Sequence, residues 1–289
     1  MNRFPHALPR PGTGPRPTLL VVAHGSRDPR HAATVARLCA RLRLLAPGAR
    51  VEAAHLDFNA PSVPQVLERL HAEAVAEGRQ RCEVVALPLL LTRAFHARTD
   101  IPAVLRDSAR ALPRLSVTQA EVLGPDALLV AALERRLREA GVRPGDIGST
   151  GVVLAAAGSS DPEAIAVIAD VAREWRRTTG WCAVRPAFAS ASGPRTEEAV
   201  RALRTEGVRR IAVAPYVIAP GRLPDRIAAG ALEGGADLCA PVLGDAPEIA
   251  RLLLRRAQEQ LHPSAAGRGG GLLRGSAGLR PGPDAARAA

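Results

Sequence analysis

Short apolar runs alternate with helically spaced apolar stripes along most of the chain. Thr18 to Ala23 reads as a buried strand, and Val35, Leu38, Cys39, Leu42 and Leu45 follow at helical spacing. Arg50 to Leu56 is a second strand, with Val63, Val66, Leu67 and Leu70 forming the next helical stripe. Glu83 to Leu91 predicts a third strand and residues 100–111 its helix; Leu115 to Val122 predicts a fourth, followed by a helix over 125–140. Strand and helix thus alternate four times, which calls for a mostly parallel sheet with helices on both faces.

The pattern then begins again. Gly151 to Ala156 reads as a strand, and the turn Ala157-Gly158-Ser159-Ser160-Asp161-Pro162 lies 133 residues after His24-Gly25-Ser26-Arg27-Asp28-Pro29. The same offset carries Pro61 onto Pro194, and a slightly shorter one carries Leu87-Pro88-Leu89 onto Ala214-Pro215-Tyr216. Landmarks that keep their spacing argue for duplication of one unit. The expected architecture is therefore α/β, with two duplicated lobes, each a mostly parallel sheet flanked by helices. The first lobe is set at 18–141 and the second at 151–262. Between them, 142–150 carries Pro144, Gly145 and Gly148 and reads as the linker. Residues 1–17 and 263–289 are rich in Pro, Gly, Ala and Arg without periodicity and are expected to be disordered tails.

Composition narrows the partners. Of 289 residues 47% are apolar, enough for real cores, and the formal charge is +11, from 39 basic against 28 acidic side chains. No lysine occurs, so every basic side chain is arginine, whose planar fork suits bidentate recognition of carboxylate or phosphate. The excess predicts an anionic partner. Nucleic acid is disfavoured, because aromatic residues are only 2% of the chain and no helix-turn-helix or zinc-finger spacing occurs. Cys39, Cys82, Cys182 and Cys239 form no CxxC pair and read as buried thiols in a reducing cytosol. The longest apolar run, Val84 to Leu91, is too short to span a bilayer, and the first seventeen residues lack the apolar block of a secretory signal. A cytoplasmic protein with no membrane partner is expected; the oligomeric state is left open.

Candidate chemistry gathers at strand ends. His24 closes the first strand and opens a Gly-Ser-Arg-Asp-Pro turn, at the carboxyl edge where open α/β sheets bind ligands. Gly25 and Ser26 let a ligand approach the backbone, and the helix that follows attracts negative charge at its N-terminus. A histidine that only satisfies its turn fits the position equally well. His96 follows the third strand, and Asp57 closes the second within His55-Leu56-Asp57-Phe58-Asn59-Ala60-Pro61. Two imidazoles and a carboxylate with open positions make a plausible shell for Fe²⁺ or Co²⁺.

These segments together resemble the class II, ATP-independent chelatases of the sirohydrochlorin cobaltochelatase and ferrochelatase family. The likeness rests on His24-Gly-Ser-Arg-Asp-Pro29, on the acidic Asp57 shortly before Ala60-Pro61-Ser62, and on the block Pro88-Leu-Leu-Leu…His96…Asp100-Ile101-Pro102, and it covers residues 18 to about 261. It implies ATP-independent insertion of Fe²⁺ or Co²⁺ into sirohydrochlorin, for sirohaem or cobalamin synthesis, with iron slightly preferred. His24, His96 and Asp57 would bind the metal and assist proton removal. The family usually has glutamate where Asp57 stands, one methylene longer. His55 is the alternative carrier, though a core or edge role suits it better. No cofactor beyond the substrate metal is implied, and no nucleotide-binding loop occurs.

In the second half Ala157 stands in the place of His24 and Ser190 in that of Asp57, while Pro220-Gly221-Arg222-Leu223 replaces the region of His96. That lobe is expected to form the other wall of a cleft. The implied substrate bears eight carboxylates, which Arg27, Arg93, Arg98 and Arg222, and in second place Arg195, would meet through charge-assisted pairs. Trp175 continues the stripe of Ile165, Ile168 and Ala172, so core packing is favoured over a macrocycle platform for it and for Trp181. Two rivals stand beside the chelatase: a non-catalytic carrier of tetrapyrrole or metal, and a histidine phosphatase. The phosphatase wants arginine immediately before the histidine, where Ala23 is found.

Overall fold

The computed structural model describes residues 17–93 and 99–262. The first half runs β1 (Thr18–Ala23), α1 (Pro29–Leu45), β2 (Arg50–His55), α2 (Val63–Ala76), β3 (Cys82–Pro88), α3 (Ile101–Arg110), β4 (Leu115–Gln119) and α4 (Ala127–Glu139). The second runs β5 (Thr150–Ala156), α5 (Pro162–Thr179), β6 (Ala183–Phe188), α6 (Thr196–Thr205), β7 (Arg210–Tyr216), α7 (Arg222–Gly234), β8 (Leu238–Cys239) and α8 (Pro247–Leu261). A 3-10 turn, Pro144–Ser149, joins them.

Each half builds a four-stranded sheet, ordered β2-β1-β3-β4 and β6-β5-β7-β8, and every pairing is parallel. The duplication extends to register. Val22 of β1 pairs with Pro88 of β3, and Ala155 of β5, 133 residues later, pairs with Pro215 of β7. Strand β3 ends at Pro88, short of the expected Leu91, and Leu89 N–H makes one more bond, to the Val22 carbonyl at 2.8 Å.

The central strands β1, β3, β5 and β7 are buried on both faces, as parallel sheets require, while the edge strands β4 and β8 are only half-buried. Alternation sends Leu19 and Val21 to one side of β1 and Leu20 and Val22 to the other. Leu20 and Val22 pack with α2 and α3 through Val66, Leu67, Leu70 and Ile101. Val153 and Val213 do the same with α6 and α7 of the second half, through Val200, Leu203 and Ile227. The inner faces of both sheets share one continuous core with α1, α4, α5 and α8.

Two helices leave their own sheets. Helix α4 follows β4 yet packs on β7, while α8, at the far end of the chain, packs on β3 and α1. Paired arginines fasten the exchange. Arg136 of α4 donates to the Leu243 carbonyl at 3.1 and 2.8 Å, and Arg256 of α8 donates to the Val122 and Leu123 carbonyls at 3.0 and 3.4 Å. The neighbouring residues match too: Arg135 pairs with Glu248 at 2.6 Å, and Arg255 pairs with Asp126. Trp175 and Trp181 meet edge to face with centroids 6.4 Å apart, and both indoles donate to Glu134 of α4, at 2.6 and 2.7 Å. Both tryptophans are buried. Of the cysteines, Cys39 and Cys82 are buried, whereas Cys182 and Cys239 are only half-buried, lying at strand margins beside the surface.

Candidate functional site

The order of the first sheet reverses between β1 and β3, so the connections leaving their carboxyl ends diverge and open a crevice. His24 is the first residue beyond β1 and stands exposed at that edge. The ladder to β2 continues past both strand ends: Leu56 N–H donates to Ala23 O at 3.0 Å, and Asp57 N–H donates to His24 O at 2.9 Å. Residues 33 apart in sequence are thereby seated side by side, with the Asp57 carboxylate also exposed and accepting from Phe58 N–H at 2.8 Å.

Gly25 allows the close approach. Its φ is +95°, and a Cβ there would lie 1.8 Å from the Asp57 carbonyl oxygen, so no other residue fits. Ser26 N–H donates to Asn59 Oδ1 at 2.7 Å, and Ser26 Oγ accepts from Asp28 N–H at 3.1 Å. Asp28 then caps α1 by accepting from Arg30 N–H at 2.9 Å.

The cleft beside this turn encloses about 320 Å³. Ala23, His24, His31 and the segment Leu89–Thr92 line one side; Ala156–Ser159, Ile165, Phe188 and Tyr216–Ala219 of the second half line the other. Its walls are largely apolar, as ligand clefts generally are. Gly221, at the start of α7, faces Ser26, and Arg30 of α1 reaches across to Asp225 of α7 at 2.6 Å.

Two further imidazoles stand behind His24. His31, in the first turn of α1, is half-buried on the cleft wall, and its ring centroid lies 6.5 Å from that of His55. His55 is 5% exposed, and neither of its ring nitrogens has a partner among the described residues. Burial pushes both imidazoles below the ordinary value of 6.5, and the proximity of His55 and then His24 lowers His31 further. His55 thus sits in the core. His31, Phe58 and Asn59 were not singled out in the sequence; the 133-residue offset, which sets Ala164, Ala191 and Ser192 against them, carried the signal.

The arginines expected at the cleft lie at or beyond its rim. Arg27 is exposed, with its guanidinium carbon 5.3 Å from the Phe58 ring centroid. Arg93 is exposed and paired with Glu121 at 2.6 Å; Arg222 is exposed in the first turn of α7; Arg195 precedes α6, away from the cleft. His96 and Arg98 lie outside the described residues. Among the described residues no group of three or more His, Cys, Asp or Glu side chains is placed to hold a metal ion.

The family model named CbiX matches residues 18–140 and 151–260, most of both halves. The chain belongs to the CbiX family. Among curated relatives, this CbiX-family chain is 27% identical over 217 residues to a sirohydrochlorin cobaltochelatase of Priestia megaterium, covering 73% of this chain and 67% of that one. It is 26% identical over 209 residues to a sirohydrochlorin ferrochelatase of the same organism, covering 72% and 76%. Among solved structures, SirB from Bacillus subtilis with Fe³⁺ superposes with a TM-score of 0.72 at 24% identity, over 84% of this chain and 95% of that one. The two-sheet fold of the CbiX-family chain is thus that of the class II chelatases.

Proposed function

We propose that this chain is a sirohydrochlorin chelatase that inserts Fe²⁺ or, second, Co²⁺ into the macrocycle without a nucleotide, using His24, His96 and Asp57. The observation that carries the residue assignment is the ladder extension that seats Asp57 beside His24 at the rim of a cleft walled by both halves. An imidazole and a carboxylate side by side, with a second imidazole supplied from the segment after β3, suit a first-row divalent cation held with open positions. The cation is substrate, so a site that grips it loosely and from one side serves delivery.

Metallation requires two pyrrolic N–H protons to leave while the electron pairs they release bind the cation. Neutral imidazole accepts such protons, and a cleft that fixes ring and cation together removes the cost of bringing them into register. Gly25 and Ser26 offer close backbone approach, and Arg27, Arg93, Arg98 and Arg222 offer guanidinium groups to the carboxylates on the rim of the ring. No further cofactor is proposed. No described helix is long and apolar enough to cross a membrane, and we assign the reaction to the cytoplasm.

Anaerobic incubation with sirohydrochlorin and Fe²⁺, Co²⁺ or Ni²⁺ in turn, followed in the visible spectrum, tests the proposal. Metallated product forming faster than without protein is expected for iron and cobalt. Stoichiometric binding with no product would make the chain a carrier, and phosphate-ester turnover without metal would restore the phosphatase reading.

A further inference from the structure

The turn after β2 carries one side chain that metal binding does not use. Phe58 is 52% exposed, and its φ of 62° places it in the left-handed region, where a bulky residue crowds its own backbone. The turn itself does not call for an aromatic. The second half makes it with Ala191 at φ 60°, held by the same bonds: Ser190 N–H to Ala157 O at 3.0 Å, Ser192 N–H to Ser190 O at 2.7 Å and Phe188 N–H to Pro194 O at 2.9 Å. The first half holds Phe58 through Asp57 N–H to His24 O at 2.9 Å, Asn59 N–H to Asp57 O at 2.7 Å and His55 N–H to Pro61 O at 3.0 Å. Alanine therefore meets every backbone demand of the position.

The neighbours of the ring give it a purpose. Its centroid lies 6.2 Å from that of His24, at an interplanar angle of 33°, and the Arg27 guanidinium sits over it. The three matching positions in the second half are Ala157, Ala191 and Ser160. Imidazole, aromatic ring and cation occur together at one turn and are missing together from the other. A conjugated ring presents a face to an aromatic side chain, and a carboxylate on its edge pairs with a guanidinium.

We propose that Phe58 is a positioning residue of the chelatase site, stacking its exposed ring on the tetrapyrrole while Arg27 takes a carboxylate at the edge of the stacked ring, so that the ring nitrogens are set toward His24. This rests on the reading of the cleft as a tetrapyrrole site. The left-handed strain is retained because it projects the aromatic ring outward beside the metal ligands.

Full-length Phe58→Gly and Phe58→Trp separate this role from a structural one. Glycine relieves the left-handed backbone, so the thermal midpoint of Phe58→Gly should hold or rise. Its affinity for metal-free sirohydrochlorin, followed by the absorbance of the tetrapyrrole, should fall about tenfold, the order of one lost stacking contact. In turnover the same loss should fall on KM far more than on kcat, and Phe58→Trp should restore both readings. Unchanged affinity and KM in Phe58→Gly, or a lowered thermal midpoint with no restoration by tryptophan, would overturn the inference. Wild-type protein that binds sirohydrochlorin but forms no product would sink the catalytic reading and leave the binding comparison to decide this one. Wild-type protein that binds none would overturn both.

Discussion

The turns after β1 and β5 have the same backbone and different chemistry. Gly25 and Gly158 both take positive φ, at +95° and +91°, and a Cβ on either would strike the neighbouring carbonyl oxygen, of Asp57 at 1.8 Å or of Ser190 at 1.9 Å. Ser26 and Ser159 accept from Asp28 and Asp161, and each aspartate caps its helix. Yet His24, His31, Asp57 and Phe58 in the first half face Ala157, Ala164, Ser190 and Ala191 in the second. The exchanged helices behave in the opposite way, since Arg135 and Arg136 of α4 have chemical twins in Arg255 and Arg256 of α8. Side chains kept in both halves hold the two sheets together. Those found in one half mark where we propose that the chemistry takes place.

The largest expected effects separate the turns. His24→Ala should lower the metallation rate by about 10²–10⁴-fold, the usual range for losing a group that moves protons, with the circular-dichroism spectrum unchanged. Gly25→Ala and Gly158→Ala should each cost about 2–4 kcal/mol in denaturant unfolding, because the new methyl meets backbone in both cases. Only the first should also abolish metal insertion. A cost confined to one half would break the symmetry argued for the scaffold.

Smaller effects test the joint and the core. Arg136→Met and Arg256→Met should each cost about 1–2 kcal/mol, from lost hydrogen bonds to carbonyls of the other half, and the two costs should be similar. His55→Phe copies the residue that the second half uses, Phe188. The folded state holds the His55 imidazole below 6.5, so as pH falls below 6.5 the unfolded chain takes up a proton that the folded chain resists. Stability therefore drops with pH in that window. His55→Phe should flatten the drop and raise stability by about 1 kcal/mol, read as thermal midpoints between pH 7.5 and 5.5.

Much of this was legible along the chain. Strand β1 and the first helical stripe were plain because both faces of the strand are apolar and Asp28-Pro29 marks a helix start. The duplication showed in the turns because glycine there has no substitute. The helix exchange did not show, since an amphipathic stripe tells that a face is buried and not which sheet buries it. His24 and Asp57 were legible as strand-end residues, and the ladder that joins their backbones follows from parallel pairing. Phe58 was hidden because its left-handed backbone comes from a turn fixed by distant carbonyls. Arginine excess pointed to an anionic ligand, while several arginines turn out to bind carboxylates or carbonyls of the chain itself.

The most direct test gives the first turn the residues of the second at the two proposed ligand positions that the structure describes. The double substitution His24→Ala/Asp57→Ser leaves Gly25, the ladder and the helix cap in place, and the metallation rate is read anaerobically from the visible spectrum of sirohydrochlorin with Fe²⁺ or Co²⁺. A folded protein whose rate equals that of the protein-free mixture is the predicted result. Metallation at the wild-type rate would contradict the placement of the chemistry in the first half.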